Sequence, residues 1–173
     1  MIRVGASTQE IHCYKEDVGM MGYGVHTHKV KGQKTPLRVR TFFIRDDKND
    51  TQLVWVVPEI LSGSIAIKRG VLDQLKIESP NIDISDSELM ISATHTHSGP
   101  GGYFDYAIYN MSISGFEPDI YDAIVKSIIE SILAAYSRLK DARVFFSYSS
   151  FEPETNVAFN RSVKAINMNP ETL

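Results

Sequence analysis

Residues 118–139 constrain the fold more than any other stretch. Ile120, Ile124, Ile128 and Ile132 recur every four residues, flanked by Tyr121, Val125, Ile129 and Leu133. At about 3.6 residues per turn this is a broad apolar stripe about five turns long. Pro118 suits the first turn, where its missing N–H costs nothing. A stripe of that width needs a large apolar partner, and the rest of the sequence offers strands. Leu37–Ile44 (LRVRTFFI) reads as a strand from its β-branched and aromatic content. A polar turn, DDKND, separates it from Leu53–Val57 (LVWVV), whose unbroken apolar run predicts a strand buried on both faces. The two form a hairpin.

Residues 62–75 return to helical spacing, with Ile65, Val71, Leu72 and Leu75 on one face and Ser62 or Ser64 as the cap. Leu89–Ala93 and Val144–Tyr148 read as further strands. Strands alternating with helices predict an α/β layer arrangement, and the hairpin makes the sheet mixed rather than parallel. The expected fold is therefore a mixed β-sheet with flanking helices, in one domain spanning 1–173. A chain of 173 residues is long enough for one sizeable core but hardly for two.

Composition removes several classes of function. A net charge of −3, with no Lys/Arg block, gives no electrostatic basis for binding nucleic acid. The single cysteine, Cys13, excludes an internal disulfide and a cysteine-based zinc cluster. No apolar run approaches the roughly 18 residues of a membrane span. The opening MIRVGASTQEIHCYKED lacks the apolar stretch of a signal peptide.

Chemistry concentrates in ISATHTHSGPGGYFDY, residues 91–106. If the strand from Leu89 continues through His97, His95 and His97 point to the same face, about 7 Å apart. Ligands of open α/β sheets sit beyond the carboxyl ends of strands, and a His-x-His there suits zinc. Two histidines do not complete a catalytic zinc site, so a hydrogen-bonded loop stands as the alternative. Ser98 lacks a G-x-S-x-G setting and reads as the cap of a turn or helix opened by Gly99-Pro100-Gly101-Gly102. Gly22 and Gly24 flank Tyr23 and would let a backbone approach a substrate, or simply make a turn. His26 and His28 form a second His-x-His, in a stretch that reads as a solvated loop. Asn160-Arg161-Ser162 places a fork of donors in a polar turn. Glu59, at a strand end, and Asp105, near the motif, are carboxylates that could orient a ligating histidine or simply lie at the surface.

Together these segments resemble one family. ATHTHSGPGGYFDYAIYNMSISGF is similar to the signature of the neutral, non-lysosomal ceramidases, as are VGMMGYG, LRVRTFFI, and FNRS followed by MNP. Order and spacing match from about Val4 to Pro170. The resemblance implies a zinc-dependent amide hydrolase that cleaves the N-acyl bond of ceramide, or of a similar N-acyl lipid, to sphingosine and a fatty acid. It implies that His95 is a zinc ligand, that His97 and Arg161 are catalytic, and that Gly22 and Gly24 line the substrate head-group pocket. Gly24 stands where some members have serine, and Lys34 where the family has histidine. The family's other zinc ligands (a histidine, a glutamate and a tyrosine) and its catalytic serine lie beyond the position matching Leu173. The chain is thus expected to be the amino-terminal portion of a larger catalytic domain, associating with a carboxyl-terminal region or with its own copies. A secreted or membrane-associated location follows from the resemblance, and a cytoplasmic one from the amino terminus. A binding module without chemistry, or a related metal-dependent hydrolase of another substrate, are the competing readings.

Overall fold

A computed structural model describes residues 1–113, 115–152, 155 and 162–168. The strands are β1 (Ile2–Ile11), β2 (Leu37–Asp46), β3 (Thr51–Pro58), β4 (Leu89–Ile91) and β5 (Lys140–Asp141); the helices are α1 (Ile65–Glu78), α2 (Ala107–Asn110), α3 (Pro118–Tyr136) and α4 (Val163–Asn167). The chain divides into a compact unit, 1–143, and a smaller one, 144–173, which holds α4.

The sheet is mixed, as expected, in the order β4-β3-β2-β1-β5. The β2–β3 hairpin is antiparallel, and its turn is closed by Asp46, which accepts from the Lys48 N–H and the Asn49 side-chain amide. From β3 the chain crosses through α1 and returns as β4, parallel to β3. Ser64 is the N-cap of α1, its hydroxyl accepting the Ile67 N–H at 3.1 Å. The α3 stripe lies where its periodicity demands. Ile120, Ile124, Ile128, Ile129 and Ile132 are all buried, against the sheet face formed by Val39, Thr41, Phe43, Val54 and Val56. Each fully buried isoleucine contributes on the order of 2 kcal/mol. Helix α1 packs on α3 in turn, and the Tyr121 hydroxyl donates to the Ala66 carbonyl at 2.9 Å.

Strand β1 was not legible as a strand because its core-facing residues are Gly5, Ser7 and Ile11 rather than an apolar alternation. Helix α3 approaches so closely that a Cβ on Gly5 would stand 1.9 Å from the Ala135 carbonyl oxygen. Ser7 donates to the Ser131 carbonyl at 2.7 Å, and the Ser7, Ser131 and Thr41 hydroxyls lie 2.7 and 2.8 Å apart in sequence. Every hydroxyl proton in this buried trio has an acceptor, so burial of the three groups is tolerated.

Two expectations need correction. Strand β3 is not covered on both faces: Leu53 is 38% exposed and Trp55 39%. Helix α3 covers one face, and on the other Ala6, Phe42, Trp55 and Met90 form an exposed cross-strand row. The run Val144–Tyr148 forms no ladder among the described residues, and Phe145 and Phe146 are exposed. β1 instead pairs with the short β5, through Arg3 and Val4, and among the described residues no strand pairs with 144–148.

Gly5→Ala should lower stability by about 1–3 kcal/mol in denaturant titration, because a backbone oxygen cannot move aside as a side chain can. The open sheet face should drive self-association. In sedimentation experiments Trp55→Thr should raise the monomer fraction while leaving the folded signal intact; a wild-type chain that is monomeric at high concentration would refute this.

Candidate functional site

The hydrogen bonding of β3 with β4 continues past the end of β4. Ser92 N–H donates to Val56 O, Thr94 N–H to Pro58 O, and His95 N–H to Ile60 O at 3.1 Å. The histidine segment therefore leaves the sheet at the carboxyl ends of two parallel strands, where α/β sheets hold ligands. It does not stay extended to His97. His95 sits at φ +62, a conformation non-glycine side chains seldom adopt. The strand alternation expected to align the two rings does not extend to them, since β4 ends at Ile91; with His95 at positive φ, the ring centroids are 5.0 Å apart and the planes at 66°.

The His95 ring is fixed by one contact. Nδ1 lies 2.9 Å from the Leu61 carbonyl oxygen. A carbonyl only accepts, so Nδ1 is the donor in this contact, and in the neutral ring Nε2 keeps its lone pair. His95 is exposed, which leaves that lone pair accessible. His97 is half-buried and meets Tyr23 edge to face at 4.7 Å.

The Gly22-Tyr23-Gly24 turn is brought here by docking of residues 19–21 onto 99–101. Met21 N–H donates to Gly99 O and Gly101 N–H to Gly19 O, and Met20 bridges Pro100. Gly22, at φ +124, lies directly under His97: a Cβ there would come within 2.4–2.8 Å of the imidazole ring atoms. Gly24 has φ +66 and open space around it. Tyr23 lies between His97 and His28, whose ring centroid is 5.5 Å from that of Tyr23. The stretch that read as a solvated loop thus contributes His28 to the cluster, while His26 is exposed. Tyr23 was the residue that sequence reasoning undervalued; its only signal was the pair of flanking glycines.

Several candidates fall elsewhere. Glu59 does not orient a histidine. It accepts the Arg38 N–H at 2.8 Å and pairs with Arg40 at 2.7 Å. Asp105 lines a shallow groove with Phe104, Met111 and Phe116. Ser98 caps no helix, since α2 starts at Ala107; its N–H donates to the Thr96 hydroxyl. Lys34 lines a cleft of about 380 Å³ with Leu37, Ser98 and Pro100. Cys13 borders the same cleft, and burial pushes its thiol up to about 11, which leaves it unreactive. Arg161 lies outside the described residues. Among the described residues no three His, Cys, Asp or Glu side chains converge as a metal site, so His26 and His28 do not complete a set with His95.

Fold and site together define a mixed α/β protein with an imidazole cluster at the carboxyl end of its parallel strand pair. Comparison with known proteins narrows this. Residues 2–172 match the model of the neutral/alkaline non-lysosomal ceramidase family, N-terminal, and the chain belongs to that family. It is 35% identical over 172 residues to the neutral ceramidase of Mycobacterium tuberculosis, covering 98% of this chain and 26% of that protein. It is 34% identical to the neutral ceramidase of Pseudomonas aeruginosa, covering 98% of this chain and 25% of that one. The crystal structure of the Pseudomonas aeruginosa enzyme superposes with a TM-score of 0.75 at 36% identity, over 80% of this chain and 22% of the other. The chain thus spans about a quarter of the length of the curated relatives it matches.

The two glycines of the turn should respond differently to substitution. Gly22→Ala should displace the His97 ring, shifting its NMR signals, and cost about 1–3 kcal/mol. Gly24→Ala meets nothing within 4 Å and should leave the His97 signals in place.

Proposed function

We propose that this chain forms the amino-terminal part of the active site of a zinc-dependent amide hydrolase acting on ceramide or a similar N-acyl lipid. The observation that carries the reading is the His95 ring. Its Nδ1 is committed to the Leu61 carbonyl, and the exposed residue holds its ring beside a second imidazole. That is how a metal-ligating histidine is usually prepared, with its other nitrogen held by a carbonyl or carboxylate. Among the described residues no group of three candidate ligands converges, so His95 would supply one zinc donor and the others would have to come from elsewhere. Zinc, when bound, supplies Lewis acidity toward the amide carbonyl and lowers the pKa of a bound water.

The chain's own residues then have distinct roles. His95 would hold the metal through Nε2. His97, wedged between Gly22 and Tyr23, would pass a proton to the leaving amine. The open space at Gly24 would leave backbone to face the polar head of the substrate, while Gly22 serves that pocket by making room for the His97 ring. Arg161 is assigned from the Asn-Arg-Ser motif as a clamp on developing negative charge. A lipid substrate places the protein at a membrane surface, whether secreted or membrane-associated. No helix among the described residues is long and apolar enough to cross a membrane.

A second reading rests on the incomplete donor set among the described residues. In that reading the chain is a ceramidase-like binding module, with chemistry only after a further polypeptide or a second copy completes the site. Zinc stoichiometry and affinity, measured on wild type and on His95→Ala, separate the two. Tight one-to-one binding that His95→Ala abolishes supports the enzymatic reading, and ceramide hydrolysis should accompany it. Zinc binding no better than background for the wild type favours the module. Hydrolysis of short N-acyl amides but not ceramide would assign a different substrate.

A further inference from the structure

The signature segment contains a residue whose part in the site is not explained by the histidines. Tyr103 follows His95 by eight positions, yet it folds back beneath the turn that holds His95. It is 1% exposed, and its ring stacks on Phe104 at 4.9 Å. Its hydroxyl oxygen accepts the Leu61 N–H at 3.1 Å and, at longer range, the Ser62 N–H at 3.5 Å.

The connectivity of these bonds is the informative part. The peptide unit between Ile60 and Leu61 gives its N–H to Tyr103, and its carbonyl accepts the His95 N–H at 3.1 Å. The next unit, between Leu61 and Ser62, gives its N–H to Tyr103, and its carbonyl accepts the His95 Nδ1 proton at 2.9 Å. Two successive peptide units therefore run from one phenol oxygen to one histidine, reaching both its backbone and its ring. A peptide plane anchored at its N–H cannot rotate its C=O away. A C=O whose own N–H is bonded is also polarised and a better acceptor.

We propose that Tyr103 is a positioning residue for His95. Through the 60–62 turn it fixes the imidazole as the Nδ1–H tautomer, with Nε2 free, and holds the backbone at its positive φ. The functional consequence rests on the reading of His95 as a metal donor; the positioning itself is a property of the metal-free chain. Burial pushes the Tyr103 hydroxyl up to about 12, so it stays a neutral phenol over the physiological range.

The test is the His95 tautomer in the metal-free chain, read from two-bond ¹H–¹⁵N correlations at about pH 8, where a histidine of ordinary pKa is neutral. The wild type should be predominantly Nδ1–H. Tyr103→Phe keeps the ring and should raise the Nε2–H fraction several-fold. Phe104→Leu perturbs the packing without removing the hydroxyl and should leave the tautomer unchanged. Zinc affinity of Tyr103→Phe should fall about 10-fold or more. A wild type that is Nε2–H, a Tyr103→Phe tautomer identical to wild type, or an equal shift in Phe104→Leu would each overturn the proposal. If Tyr103→Phe does not fold, amide exchange of Leu61 in the wild type decides: strong protection supports the clamp and free exchange overturns it. A tautomer shift with no measurable zinc binding in either protein would uphold the positioning and favour the module over a self-sufficient zinc site.

Discussion

Everything in the 1–143 unit depends on burying the α3 stripe against one face of the sheet. Four isoleucines at four-residue spacing cannot remain in water, and the sheet face of Val39, Phe43, Val54 and Val56 is what receives them. The fit is close enough to dictate residues on the partner strand. Gly5 is set by the Ala135 carbonyl, and Ser7 and Thr41 are tolerated because Ser131 completes their hydrogen bonding. With α3 seated, the order β4-β3-β2-β1-β5 is fixed from the middle outward. The β3–β4 parallel pair then has a rigid base.

That base gives the site its precision. The pairing of β3 and β4 extends beyond the regular strands, and its last bond, from His95 N–H to Ile60 O, ends at the unusual backbone conformation. Holding a non-glycine residue at positive φ costs on the order of 1–3 kcal/mol. The bonds from the 60–62 turn offset that cost. Their joint effect is to aim one nitrogen of His95 outward. The loop carrying Gly22 and Tyr23 then encloses His97 from the other side. The site is assembled from three separate segments, and each is held by backbone hydrogen bonds rather than by surface ion pairs.

The sequence was informative where a pattern repeats. Helix α3, the β2–β3 hairpin, a serine cap at Ser62 or Ser64 and the mixed character of the sheet were all legible from periodicity and turn chemistry. It was uninformative where tertiary contact replaced pattern. β1 shows no apolar alternation because its inward positions are occupied by a glycine and a serine shaped to α3. LVWVV read as doubly buried because apolar content reports affinity for cover, not whether cover is present. The 144–148 run has strand composition, but a strand exists only where a neighbour takes up its hydrogen bonds. At the site, His95 and His97 stood out at once, yet the strand alternation expected to align their rings stops short of them, since β4 ends at Ile91 and His95 has a positive φ. Glu59 was attractive by position and proved to belong to Arg40.

What the sequence determined by itself was the amphipathic helix, the strands of the hairpin, the pair of histidines after a strand, and membership of a family through a long specific segment. These depend on local spacing, which a one-dimensional pattern carries in full. Tertiary structure alone decided that His95 carries its proton on Nδ1, that Gly22 makes room for His97, that Tyr23 and His28 join the cluster, and that Tyr103 reaches back to the 60–62 turn. Each is a contact between segments, in which a carbonyl, a missing Cβ or a buried hydroxyl is placed by the packing of α3 and the pairing of β3 with β4. No spacing rule along the chain encodes such a meeting.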